Sequence, residues 1–476
     1  MKALYNIKKI FNVNLTLYII LIWLLFSTVA YLHVYTDYLS KFIGIFGIIV
    51  SFININKIKF RIENIFLILL FSFIGISTLI NYHNNLYLNL VMIMFMLVFV
   101  LLSLEYNHNS KYEKTFYNLY IIITTVLAFA SVCLYFTKTE LLFLGNYYGY
   151  HWNVLYGLFV NPNTGSICLI FSILLSIYLF LKDKKIIYII SSIINFAYVF
   201  LADSRGAYIT FIIFIFSYLA IMIYIKSKKW YIYLLLIFSF LFSTIIAIKS
   251  PYLIATNIYN DISYKFISNN DFLSENKVDS YIESDNNEEE INSAISEEEG
   301  DSAVNEGEIN SSISEDVIVQ EESPNNLDNT KDISSSRFDL WKASFNVIKE
   351  HLFFGVGKAG QMDYVREYLD PNSQTYFIVA GGPHNGYIDL LLSNGFFAFV
   401  TLIIVLGMRV LKLLSVLIEK KEAPRDYFYF ISIFLALLVN NMFETSFFNA
   451  IFITCLFFWF VFSKILFLEN EISNRI

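Results

Sequence analysis

Read as a pattern of apolar and polar positions, the chain is a succession of apolar runs near 20 residues, each bounded by a short polar stretch. A run of that length spans the ~30 Å hydrocarbon core of a bilayer as an α-helix. The runs predict about twelve membrane-spanning helices, the first over residues 13–32, and so an all-α polytopic membrane protein. The pattern fails in one long interval, residues 250–384, between the ninth and tenth runs. The expected organisation is therefore helices 1–9 over residues 1–249, an insert over 250–333, an ordered polar loop with short helices over 334–395, and helices 10–12 over 396–476.

Charge orients the helices. Lys2, Lys8 and Lys9 precede the first run. Basic residues then recur after every second one: Lys57, Lys59 and Arg61; Lys111 and Lys114; Lys182, Lys184 and Lys185; Lys226, Lys228 and Lys229; Arg409, Lys412, Lys420, Lys421 and Arg425. The alternate connections are poor in Lys and Arg. By the positive-inside rule both ends lie in the cytoplasm and the long loop lies outside.

Composition agrees. Of 476 residues, 57% are hydrophobic and only 15% charged, with mean hydropathy +0.58; soluble domains carry about 25% charged residues. The net charge of −7 hides a division. Residues 271–322 hold 18 acidic residues and one lysine, leaving 32 basic against 22 acidic elsewhere. That acidic stretch lacks aromatic residues after Tyr281 and repeats itself, with INSAISE at 291–297 and INSSISE at 309–315. It cannot bury enough apolar surface to fold and reads as a disordered, tolerated insertion. Cys133, Cys168 and Cys455 fall in apolar runs and offer neither a disulfide framework nor metal spacing.

Polar chemistry then has few places to reside. In the ordered loop, Phe338, Trp341, Phe345, Ile348 and Leu352 step by three and four and predict an amphipathic helix lying on the membrane or the bundle. Ser336 and Asp339 have capping-box spacing at its start. Arg337 in the first turn opposes the helix macrodipole, a cost of about 0.3–1 kcal/mol. The residue is either a surface cation paired with Asp339 or part of an anion site. Arg205 sits in a tight turn between two apolar helices, where an ionisable group is a functional candidate by default; the alternative is an interfacial arginine paired with Asp203. His384 follows Pro383 at the entry to the tenth run, and histidine is the side chain whose charge changes near neutral pH. The run Gly355-Val356-Gly357-Lys358-Ala359-Gly360 satisfies GxGxxG but follows a predicted helix rather than a strand. A dinucleotide fingerprint is thereby excluded; a turn, with backbone N–H groups near a phosphate, is the expectation. No metal, Ser/His/Asp or nucleic-acid pattern is present.

Together these motifs resemble a known family. The stretches Ser336-Arg337-Phe338-Asp339-Leu340-Trp341, Phe354-Gly355-Val356-Gly357, Pro383-His384-Asn385-Gly386-Tyr387 and Asn394-Gly395 resemble the O-antigen ligase/O-antigen polymerase superfamily, as do Asn161-Pro162-Asn163 and Ser204-Arg205-Gly206. The specific match covers about sixty residues. Two departures are Leu352, where many members have proline, and the acidic insert. The resemblance implies a bacterial cytoplasmic-membrane glycosyltransferase without a cofactor or metal. Its donor is a glycan on polyprenyl (undecaprenyl) diphosphate at the outer leaflet, and an acceptor glycan is its second substrate. It implies Arg205 and Arg337 on the diphosphate, His384 as base, and Asn385, Asp339, Trp341, Asn163 and Tyr387 at the substrate. Glu444, near the outer end of the eleventh run, is added to that site. Flippase and chain-length regulator proteins are the expected partners, with no nucleic acid. A polymerase of repeat units for an O-antigen, capsule or exopolysaccharide is the leading expectation. A ligase transferring glycan to a lipid, wall polymer or protein is the alternative. A lipid-linked sugar transporter would place charges inside several helices, whereas here they cluster at helix ends; a non-catalytic scaffold would make the three residues replaceable.

Overall fold

A computed structural model describes residues 13–54, 61–105, 108, 111–143, 146–151, 154–227, 337–373, 375–376, 382–418, 423–444, 447 and 453–474. The chain divides into one unit comprising 1–256 and 334–476 and a second comprising 257–333. The second unit, which holds most of the acidic insert, lies outside the described residues, as does the expected ninth helix before residue 250.

The apolar runs form helices: α1 (Val13–Thr28), α2 (Thr36–Asn54), α3 (Ile62–Ile80), α4 (Leu86–Glu105), α5 (Lys111–Phe136), α6 (Pro162–Asp183), α7 (Ile186–Leu201) and α8 (Arg205–Ser227). The ordered loop contributes α9 (Arg337–Glu350) and α10 (Gln361–Arg366), followed by α11 (Gly386–Ile418), α12 (Arg425–Asn440) and α13 (Ile453–Asn474). Among the described residues, α3, α5, α6, α8 and α11 are long and apolar enough to cross a membrane, and α7 is a shorter apolar helix. Their ends follow local chemistry. Asn161 caps α6 by accepting from the Asn163 N–H at 2.8 Å, with Pro162 in the first turn, and Lys184 closes it in the left-handed conformation.

One element departs from the all-α expectation. A three-stranded antiparallel sheet is made of β1 (Glu140–Phe143), β2 (Asn146–His151) and β3 (Val154–Gly157). His151 pairs with Glu140 across it. The polar spacing that marks a loop in hydropathy also supports hairpins, because alternation over four to six residues is too short to register against twenty-residue runs.

The helices pack α3 along α11, α8 along α12, and α6 against α5 and α7. A continuous core of buried aliphatic and aromatic side chains runs between them, with Trp23, Tyr120, Tyr198, Phe430 and Trp459 fully enclosed. A smaller core lies beneath the loop helices, where Leu340, Val347 and Ile348 meet Val356, Val365, Ile388 and Leu392. The expected stripe of α9 shares only Ile348 with the residues the helix buries. Its buried face is Leu340, Ala343, Ser344, Val347 and Ile348, whereas Phe338, Phe345 and Leu352 of the expected stripe are exposed. Two faces of the helix were apolar enough to satisfy the spacing, and the loop core selects between them.

Candidate functional site

The site is held by a crossing between the loop and α11. The helix breaks at Gly395, which has φ +78°. A Cβ there would stand 2.2 Å from the Phe353 carbonyl oxygen, and one on Gly355 2.4 Å from that of Leu392. Glycine is required at both because two backbones touch. Through the gap, Val356 N–H donates to Leu392 O at 3.0 Å, Gly357 N–H to Ser393 O at 2.9 Å, and Phe396 N–H to Leu352 O at 2.8 Å. The α3–α4 connection completes the seam: Asn81 and Asn84 donate to the carbonyls of Gly355 and Val356, and Asn89 accepts from Ala359 N–H. The glycine run is thus a structural turn. Its N–H groups at 355, 356, 357 and 359 already donate to protein oxygens, which corrects the expectation of a phosphate cradle.

This seam fixes where α11 begins. Asn385 is buried and its side-chain oxygen accepts from the N–H groups of Tyr387 at 3.0 Å and Ile388 at 3.1 Å, an N-cap. Gly386 N–H donates to Asn441 O at 2.7 Å and to Glu444 O at 3.2 Å, pinning the start of α11 to the end of α12. Trp341 of α9 donates from its indole N–H to Pro383 O at 2.7 Å. Between these anchors His384 adopts φ +47°, a conformation that costs a non-glycine residue free energy and recurs at functional sites.

Two of the sequence candidates meet at a third, Glu444. Arg337 Nη2 lies 3.5 Å from Glu444 Oε1, and His384 Nδ1 lies 3.7 Å from Oε2. Their side chains remain 24%, 32% and 21% exposed for Arg337, His384 and Glu444. Arg337 therefore pairs with Glu444 rather than with Asp339. Arg205 opens α8 beside this group: a Cβ on Gly206 would meet Glu444 Cγ at 3.9 Å, and Thr210 donates to Asn440 Oδ1 at 2.8 Å. Arg205 and Arg337 each begin a helix, and His384 immediately precedes the N-cap of another. Three positive helix ends, the Arg337 guanidinium and the His384 imidazole thus surround one carboxylate, with Arg205 opening one of those helices, an arrangement that favours anions. Beneath the His384 loop, Lys358 and Gln361 both donate to Asp389 Oδ1, at 2.5 Å and 2.9 Å.

The remaining candidates take other places. Tyr387 donates its hydroxyl to Leu438 O at 2.9 Å and packs edge-on against Phe447. Asn163 is exposed at the start of α6, and no hydrogen bond joins its side chain to the Glu444 group. Asp339 lines a separate depression on the loop. What sequence reasoning underweighted was Glu444 as the meeting point. Its signal was the polar break Asn440-Asn441 closing an apolar helix, and Asn440 O accepts the N–H that places Glu444. No group of three or more potential metal-ligating side chains occurs among the described residues.

Residues 190–403 match a family model described as O-antigen ligase. The match covers less than half of the chain, from α7 to the first half of α11, and includes Arg205, Arg337 and His384. No curated protein matches the chain.

Proposed function

We propose, from the premise that this chain carries a domain of the O-antigen ligase/polymerase superfamily, that it polymerises glycan repeat units delivered on polyprenyl diphosphate. The family is one of membrane glycan transfer; what carries the finer reading is the convergence of Arg337 and His384 on Glu444 with α8 and Arg205 alongside. The reacting donor is an anomeric carbon bearing a lipid diphosphate. That leaving group needs cations as charge builds on its bridging oxygen, and preorganised donors of this kind are worth ~10²–10³ in rate each. Arg337 and Arg205 supply the charge. His384 takes the proton from an acceptor sugar hydroxyl as that oxygen bonds to the anomeric carbon and the carbon–diphosphate bond breaks. One glycosidic bond forms, one phosphoester bond is lost, and the proton resides on the imidazole until solvent removes it. Single displacement inverts the anomeric centre, and no metal is needed when guanidinium groups hold the diphosphate. Glu444 balances the cations while the site is empty and orients the imidazole through the Nδ1 side. The reaction belongs at the outer leaflet, with both chain ends in the cytoplasm as the basic flanks require.

The test is His384→Ala, Arg337→Ala and Arg205→Ala in the native host, with membrane levels checked and surface polysaccharide resolved on a gel. Loss of long chains with accumulation of single lipid-linked units supports the polymerase. Long chains stranded on the carrier would make the protein a ligase instead. Normal polymer in all three variants would overturn the catalytic assignment.

A further inference from the structure

The loop core takes one face of α9 and leaves a second apolar stripe outside. Phe338 and Phe345 on the helix, and Leu352 just past its end, recur two helical turns apart and so share one side. They are 66%, 46% and 40% exposed, and the neighbouring Phe353 is 57% exposed. Lys342 and Lys349, both exposed, stand one turn after Phe338 and Phe345 and border the stripe. The acidic Asp339 and Glu350 lie roughly a third of a turn away from it. An apolar stripe edged by lysines, with the carboxylates turned aside, is the pattern of a helix seated in a bilayer interface.

The anchors of α9 set its direction. One end reaches Glu444, just beyond α12, through Arg337 at 3.5 Å. The other meets the break in α11, where Leu352 O accepts from Phe396 N–H at 2.8 Å. The 14-residue helix, ~21 Å long, therefore runs across one end of the bundle rather than away from it. Its stripe is also continuous with the outside of two helices long and apolar enough to cross a membrane. Phe353 stacks on Phe397 of α11 at 5.7 Å, and Phe397 on Phe73 of α3 at 5.4 Å. In the last turn of α3, Ser77 donates to Phe354 O at 2.6 Å, while Ile76, Leu79 and Ile80 are exposed, as is Phe396 on α11. On spanning helices such exposed aliphatic and aromatic side chains face lipid.

We infer that α9 is an interfacial helix whose second partner is the bilayer itself. Phe338, Phe345, Leu352 and Phe353 enter the acyl region of the leaflet at the Glu444 end, and Lys342 and Lys349 extend to the phosphates of anionic lipids. The sequence left the membrane and the bundle as alternative seats for this helix; protein takes one face and lipid the other. Arg337, one residue before Phe338, is thereby held at the level of the lipid phosphates. The inference needs only that α3 and α11 cross the membrane, and none of its readouts depends on glycan transfer.

The experiment uses the full chain in nanodiscs, with a nitroxide label at Phe345→Cys or Leu352→Cys. The labelled chains also carry Cys133→Ser, because Cys133 is exposed whereas Cys168 and Cys455 are buried. Leu79→Cys on α3 is the lipid reference, and Asp363→Cys, whose native side chain is 78% exposed on α10, is the water reference. Power-saturation EPR reads collisions with oxygen, which partitions into lipid, and with a water-soluble nickel chelate. Labels at positions 345 and 352 are expected to favour oxygen several-fold, as at 79, with the reverse at 363. Preference for the chelate at 345 and 352 overturns the inference, because the stripe then faces water. Shielding from both reagents overturns it as well, because protein, from a second copy or another part of the chain, then covers the stripe. Raising the phosphatidylglycerol fraction is expected to carry the label at 345 deeper, and Lys342→Gln with Lys349→Gln to abolish that shift. An equal shift in the double variant overturns the phosphate contacts.

Discussion

The two ends of the helix bundle hold ionic groups of the same types in opposite ways. At one end, Arg409 is buried on α11 and paired with Glu63 of α3 and Glu469 of α13, while Lys464 is buried between Glu113 at 2.9 Å and the His108 carbonyl at 2.9 Å. Lys114–Asp183 and Lys182–Asp426, each at 2.7 Å, rim the same end. At the other end, Arg337 and His384 approach Glu444 only to 3.5 and 3.7 Å and stay partly open to solvent. A buried, closely matched pair cannot release its partner without leaving a desolvated charge. A loose, half-exposed pair can exchange one anion for another at little cost. The first arrangement joins helices, and the second leaves cations available to a ligand.

The strongest way to break this comparison is to remove one group from each end. His384→Ala is expected to lower polymer formation by about 10²–10⁴-fold, the usual contribution of a positioned base, with little change in unfolding temperature in nanodiscs. A comparable fall in unfolding temperature would make the loose end structural too. Arg409→Ala is expected to destabilise the protein by ~3–5 kcal/mol, because Glu63 and Glu469 are left with an uncompensated buried charge. Fluorescence-detected size exclusion of the detergent extract would then show loss of monodisperse protein, while the turnover of molecules that do fold stays near wild type.

Smaller changes sharpen it. Glu444→Gln keeps the size and one acceptor oxygen but removes the charge shared by Arg337 and His384. An activity loss of about tenfold without loss of fold is expected, on the scale of one charged hydrogen bond; unchanged activity would remove Glu444 from the site. Trp341→Phe deletes only the indole bond to Pro383 O, worth about 1 kcal/mol. A slight fall in unfolding temperature and a few-fold loss of activity are expected, read from the same polymer assay, because the loop bearing His384 loses one of its anchors.

Much of the candidate site was legible in the sequence. Arg205, Arg337 and His384 stood out because charged residues are scarce in an apolar chain, and those three sit at the openings of helices. The roles of their neighbours were not. Asn385, expected at the substrate, caps α11 from a buried position, Tyr387 spends its hydroxyl on Leu438 O, and the glycine run closes a backbone seam. Such assignments depend on which acceptor lies across the interface, and sequence spacing does not encode it. The packing of α9 depends on the same kind of information: a helix with apolar residues on two faces turns toward the loop core the one its surroundings demand.

The sequence by itself determined the succession of apolar helices, the alternation of basic flanks and the interruption at 250–384, since each follows from the cost of placing polar atoms in hydrocarbon and needs no partner. Tertiary structure alone decided that α8, α9 and α11 bring their N-termini to Glu444, and that Asp339 turns to a groove of its own. Those facts are distances between residues up to 239 positions apart in the chain, from Arg205 to Glu444, and only packing of the bundle sets them.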